Sequence, residues 1–249
     1  MSNEDLIFGR NSVTEALKAG RSINKIFLLD DKNNIPLKKI FALAKEKKIV
    51  AEFLSRAKLD KLSGGKNHQG VIASASPVQY STTEEILSLA AEKNQSPFII
   101  LLDELEDPHN FGAILRTADA VGVHGVIIPK RRSVSLNSTV AKTSSGAAEY
   151  VKVAQVTNVA ETLKKFRDLD LKIVGSDICA EKNFSDADLT GGIVLVIGSE
   201  GKGMRRLTKE NCDLLVKIPM VGKINSLNAS VAGAVLMYEI FNQRSKVGD

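Results

Sequence analysis

The stretch LLDELEDPHNFGAILRTADAVG, residues 101–122, decides how the rest of the chain reads. An apolar run ends in a polar, proline-containing turn, and the turn opens a helix. Two later stretches follow the same pattern: IVLVIGSEGKGM at 193–204 and IPMVGKINSLNASVAGAVLMYEI at 218–240. Each sets polar groups where a buried strand hands over to a turn, so three distant places are able to converge. Strand-like runs at 98–102, 125–128, 172–175, 193–197 and 214–218 alternate with helical stretches near 110–121, 138–145, 158–168, 204–210 and 226–243. Such alternation predicts an α/β domain with a mainly parallel sheet covered by helices on both faces.

The glycines exclude two common nucleotide sites. A phosphate-cradling loop needs GxxxxGK[ST], and Gly198–Met204 lacks the Lys-Ser/Thr pair. A dinucleotide fingerprint needs GxGxxG, but Arg206 stands where the third glycine after Gly201 and Gly203 belongs.

Residues 1–76 read as a separate small α/β domain and 77–97 as a junction bracketed by Pro77 and Pro97. Residues 98–249 then form the second domain. In the first, helices are expected from about 12 to 17, from Pro36 to Lys48 and over 55–62, with strands at 25–29, 49–54 and 71–75. The junction carries helix-capping spacing twice, Ser81 to Glu84 and Thr82 to Glu85.

Charge separates the two parts. The net charge is +5, yet residues 1–80 hold 14 Lys/Arg against 8 Asp/Glu, while the remaining 169 hold 20 against 21. A polyanion partner for the first part is the reading this favours, beside a merely solvated basic surface. With 43% hydrophobic and 25% charged residues, disorder and fibres are excluded. No run is long enough to cross a bilayer, and a cytoplasmic location is expected. Cys179 and Cys212 read as reduced thiols, with no spacing for zinc.

Several residues stand out by type and place. Asn110 follows Pro108 as a possible helix cap, and Arg116 is a lone cation on a mostly apolar helix. Glu200 lies in the glycine turn, and Ser226 and Asn228 begin the last helix. Lys130-Arg131-Arg132 would suit RNA phosphates or a solvated turn equally.

Together and in this order, the three stretches resemble the SPOUT superfamily, in particular its SpoU (TrmH) branch of RNA ribose 2′-O-methyltransferases. The resemblance implies S-adenosyl-L-methionine as cofactor, no metal, and a deep trefoil knot, against the usual rule that chains do not thread. By matching, Gly198, Ile218 and Leu227 fall on cofactor-contacting positions. Asn110 and Arg116 fall on the NxGxxxR motif, whose arginine is taken to activate the ribose 2′-hydroxyl. Two readings of Arg116 stay open, a true base in a dry site or a charged group stabilising developing alkoxide. Glu200, Ser226 and Asn228 match polar positions near the reacting groups.

FGRNSVTEAL and NHQGV in the first domain resemble an L30e-like RNA-binding module. A homodimer is implied, with RNA as substrate and neither membrane nor DNA involved. The resemblance points to a guanosine of 23S rRNA, with a tRNA guanosine or a non-catalytic ribosome-assembly factor as alternatives.

Overall fold

In the computed structural model, which describes residues 5–31, 33–76, 79–223 and 226–248, the chain forms two units. The first joins the chain up to Gln79 to Ser135–Tyr150, and the second holds Tyr80–Val134 and the chain from Val151 onward. Pro77 and, within the third stretch, Ile224 and Asn225 lie outside the described residues.

The first unit carries β1 (Asp5–Phe8), α1 (Arg10–Lys18), β2 (Ile23–Leu29), α2 (Ile35–Glu46), β3 (Val50–Leu54), α3 (Arg56–Ser63) and β4 (Val71–Ala75). Its sheet runs β1-β4-β2-β3, with β4 antiparallel to both neighbours and β2 parallel to β3. Val13 and Leu17 of α1, Leu37 and Ile40 of α2, and Ile7, Ile26, Leu28 and Val71 from the strands make its core. Each such side chain, fully buried, contributes about 1.5–3 kcal/mol.

In the second unit the expected junction contains a helix, α4 (Thr83–Glu92). Thr82 and Glu85 complete a reciprocal capping box, and Ile86 and Ala90 are buried. Ser81 does not cap; its N–H donates to Val153 O at 2.8 Å. There follow β5 (Phe98–Asp103), α5 (Pro108–Ala120), β6 (Gly125–Pro129), α6 (Ser138–Thr143), β7 (Lys152–Val156), α7 (Val159–Arg167), β8 (Lys172–Ser176), β9 (Lys182–Asn183), β10 (Ile193–Gly198), α8 (Arg206–Glu210), β11 (Leu214–Lys217) and α9 (Ala229–Val247). The sheet order is β7-β6-β5-β10-β8-β11-β9, and every pairing is parallel. Ile99, Leu101, Ile127, Phe166, Ile173 and Val196 lie in its main core cluster.

Chain order and sheet order part company at the centre. β10 inserts between β5 and β8, β11 lies beyond β8, and α9 then packs on α5 and β10. Gly233 permits that last contact: a Cβ there would lie 2.8 Å from Ile197 Cδ1. These crossing connections depart from ordinary α/β winding.

One excursion breaks the expected division at residue 98. α6 and a 3₁₀ turn at Ala147–Glu149 belong to the first unit although β6 and β7 on either side belong to the second. Side chains of and around α1 hold them. Ser12 Oγ donates to Ala141 O at 3.3 Å and Tyr150 Oη to Glu15 Oε2 at 2.7 Å. Arg21 pairs with Glu149 at 2.8 Å, with side chains only 8% and 7% exposed. Removing one partner of a buried pair strands the other charge, at a cost of about 3–5 kcal/mol. Glu149→Ala should therefore lower the unfolding free energy by roughly that amount in urea titrations followed by circular dichroism, and Glu149→Ala with Arg21→Met by clearly less. Equal losses in the two proteins would refute the role of the pair.

Candidate active site

Where β8, β10 and β11 end, the chain encloses a crevice of about 340 Å³. Gly198–Gly203 supplies one wall, Ile218 and Met220 after β11 another, and Ser226 and Leu227 before α9 a third. Two of the three stretches singled out in the sequence thus meet here, through the proposed cofactor positions Gly198, Ile218 and Leu227 and the proposed polar positions Glu200 and Ser226, whereas no residue of 101–122 lines this crevice. A fourth wall was not foreseen: Ser176–Cys179 at the end of β8. GSDIC carries no glycine doublet or proline to mark it.

The 198–204 turn closes on itself. Ser199 N–H donates to Gly203 O at 3.1 Å and Gly203 N–H to Ser199 O at 2.9 Å, with Gly201 and Gly203 at φ +80° and +66°. A Cβ on Gly198 would sit 2.2 Å from Gly203 C. The glycine is therefore required by the turn's own backbone, not only by room for a ligand.

One carboxylate oxygen joins the three stretches. Glu200 Oε1 accepts from Asn110 Nδ2 and from Asn228 Nδ2, each at 2.6 Å, and from Ala229 N–H at 3.3 Å. Asn228 Nδ2 also donates to Asn110 Oδ1 at 3.0 Å. Its own Oδ1 accepts from Ser230 N and Val231 N, the N-cap geometry expected of it. Asn110 is not a cap. Asp107 caps α5, accepting from His109 N–H at 2.9 Å, and Pro108 takes the first helical position. That shift leaves the Asn110 amide, 6% exposed, to face Glu200.

Arg116 stands apart. It is exposed on α5, lines neither this crevice nor its neighbour, and has no hydrogen bond or ion pair among the described residues. The neighbouring cavity, about 260 Å³, shares Ser199, Glu200 and Lys202 with the crevice and adds Asn110 and Glu104–Asp107.

One pair that the sequence does not single out also holds this region. Asp103, fully buried at the end of β5, receives Arg205 through its N–H at 2.8 Å, Nε at 2.8 Å and a terminal guanidinium nitrogen at 2.6 Å. The pair fastens β5 to the segment leaving the glycine turn, and an acid closing the run FIILLD was its only trace. The thiol of Cys212 is pushed up to about 12, chiefly by burial and then by the charge of Asp213. Both cysteines are free, and Cys179 is exposed in the crevice.

The fold is that of the SPOUT methyltransferases. The chain belongs to the SpoU methylase family: residues 97–238 match the family described as SpoU rRNA Methylase, and residues 6–81 match RNA 2′-O ribose methyltransferase substrate binding. It is 47% identical over 245 residues to the putative TrmH family tRNA/rRNA methyltransferase YacO of Bacillus subtilis (strain 168), covering 98% of each chain. Among solved structures it resembles an RNA 2′-O ribose methyltransferase at 28% identity, with TM-score 0.79 over 97% of this chain and 89% of that one. It also shares the fold of the SpoU methyltransferase AviRb from Streptomyces viridochromogenes in complex with AdoMet, at 22% identity, TM-score 0.78, and 97% and 90% coverage. SpoU methyltransferases use S-adenosylmethionine, and RNA is the substrate class. Among the described residues no helix is long and apolar enough to cross a membrane.

Two outcomes test the geometry. Gly198→Ala should destabilise the second unit by about 1–3 kcal/mol, because the turn cannot absorb the methyl without opening. Wild-type midpoints in thermal melts of that variant would contradict it. With an aromatic disulfide reagent at neutral pH, Cys179 should react rapidly and Cys212 only on unfolding, since the thiolate is the nucleophile. Two fast thiols would refute the burial of Cys212.

Proposed function

We propose that this protein transfers the methyl group of S-adenosylmethionine to a ribose 2′-hydroxyl of RNA, a guanosine of 23S rRNA. The observation that carries the reading is the Glu200 junction, where Asn110 and Asn228 converge between the crevice and its neighbouring cavity. The chemistry and size of the crevice suit the cofactor: Ile178, Ile197, Ile218 and Leu227 would offer its adenine an apolar surface, and backbone groups at Ile218 and Leu227 would read its edge. The cofactor supplies an electrophilic methyl on sulfonium sulfur. Asn110 and Ser226 orient the incoming ribose, and Glu200 with Asn228 fixes the turn against α9.

Arg116 acts as the charged form. Arginine as a residue type keeps its proton in proteins, which favours this reading over a true base. Because Arg116 lines neither cavity of a single chain, it reaches the target nucleotide from a second copy, where it clamps the phosphate beside the ribose and stabilises the oxygen as the 2′-proton leaves to solvent. The first unit, with its excess of cations, holds the RNA. Two copies associate through α9, whose Val231, Tyr238 and Phe241 remain exposed in the single chain. The rRNA assignment draws on the rRNA description of the matched family; relatives are named for both tRNA and rRNA.

Arg116→Ala should lower kcat on 23S rRNA by about 100-fold or more, with the Kd for S-adenosylmethionine unchanged. Full turnover would remove Arg116 from the mechanism. Ribose-methylation mapping of total RNA from cells lacking the protein should show one guanosine in 23S rRNA losing its mark. A lost mark only in tRNA would move the substrate, and none lost in either would overturn the function.

A further inference from the structure

The unforeseen wall of the crevice carries a group without an assignment. At the end of β8 the backbone of Asp177 is tied to β11, its N–H donating to Val216 O at 2.9 Å. The chain then turns sharply, with Ala180 N–H returning to Asp177 O at 3.1 Å. Asp177 is among the residues lining the crevice, and its side chain is only 16% exposed. Oδ1 accepts from Cys179 N–H at 2.8 Å, and Oδ2 pairs with Lys209 Nζ at 2.7 Å. Its rotamer is therefore fixed from two directions. A carboxylate offers about four acceptor sites, so two remain unused by these partners.

We propose that Asp177 accepts hydrogen bonds from the ribose hydroxyls of S-adenosylmethionine and so sets cofactor affinity. This rests on the crevice being the cofactor site. Three groups on the cofactor donate: the adenine amino group, which the proposed function gives to the backbone at Ile218 and Leu227, the ribose diol and the α-ammonium. Lys209 decides between the last two. It already balances the charge of Asp177, and the same contact holds its ammonium firmly protonated. A second ammonium on that carboxylate would face Nζ at close range, whereas a neutral hydroxyl meets no repulsion. Position agrees, because β8 lies between β10, which ends at Gly198, and β11, which leads to Ile218. An acid at a strand end that reads a ribose diol is also the solution dinucleotide-binding folds reach by another topology. Dispersing charge onto Lys209 costs Asp177 little as an acceptor, since donors to a carboxylate remain charge-assisted.

The test is a binding cycle on the full-length protein by titration calorimetry, with S-adenosylhomocysteine and its 2′-deoxy and 3′-deoxy forms as probes. Wild type should lose about tenfold in Kd on at least one deoxy probe. Asp177→Ala should lose about tenfold on the parent compound and then bind parent and deoxy probe equally. Independent, multiplying losses would overturn the proposal, as would a wild type indifferent to both deoxy probes; the latter needs no variant to fold. Lys209→Ala, which keeps the carboxylate, should retain the deoxy penalty, and losing it would count against the proposal. Failure of wild type to take up S-adenosylhomocysteine at all would instead overturn the crevice as the cofactor site.

Discussion

A single oxygen of Glu200 receives two side-chain amides and one backbone N–H from segments about ninety and thirty residues away. Asn110 and Asn228 close the triangle by bonding to each other, so the three side chains tie all three motif stretches together. Hydrogen bonds to a charged acceptor are each worth about 1.5–3 kcal/mol when sheltered. Glu200 is itself exposed, so its total is smaller than the sum. Its value lies in geometry more than in stability. The same contact caps α9 through Asn228, presents the Asn110 amide, and holds the glycine turn over the crevice.

That junction exists because the strands do not follow chain order. With β10 set between β5 and β8, the turn after β10 faces the start of α5 on one side and the end of β8 on the other. α9 then arrives from β11 and settles on α5. A sequentially wound sheet would leave these ends apart. The close contacts this demands are met by glycine: Gly198 against its own turn, and Gly233 against Ile197. Asp103 and Arg205 lock the same region from the β5 side, a buried charge kept tolerable by three donors from one residue.

Much of this was legible because buried parallel strands print unbroken apolar runs. The five central strands were placed from such runs within a residue or so, whereas β1, β7 and β9 were not. All three lie at sheet edges, where one flank is unpaired and the apolar signal thins, as in KVAQV. The motif residues were found because glycine, asparagine and acid in strand-ending turns are unusual together. Asp177 and Asp103 leave no such signal, because a lone aspartate after a strand looks like any solvated turn; only the crevice beside the one and the guanidinium facing the other reveal otherwise. Asn110 looks like a cap only if the helix begins after it; Asp107 as cap and Pro108 at the first position set the start earlier.

The excursion at Ser135–Tyr150 changes how the two units have to be thought of. Its stems enter β6 and β7 of the second unit, yet its buried contacts, Arg21 to Glu149 and Ser12 to Ala141, are made within the first. Three chain crossings therefore join the units, not one linker. Deleting the first 76 residues would strip α6 of its partners and expose Val140, Ala141, Ala147 and Ala148. Any loss of activity in such a truncation would report misfolding as readily as lost RNA contact. The basic excess of the first unit is better probed by charge reversal at solvated positions in the intact chain. There a fall in RNA affinity with a shallower salt dependence isolates phosphate contact from folding.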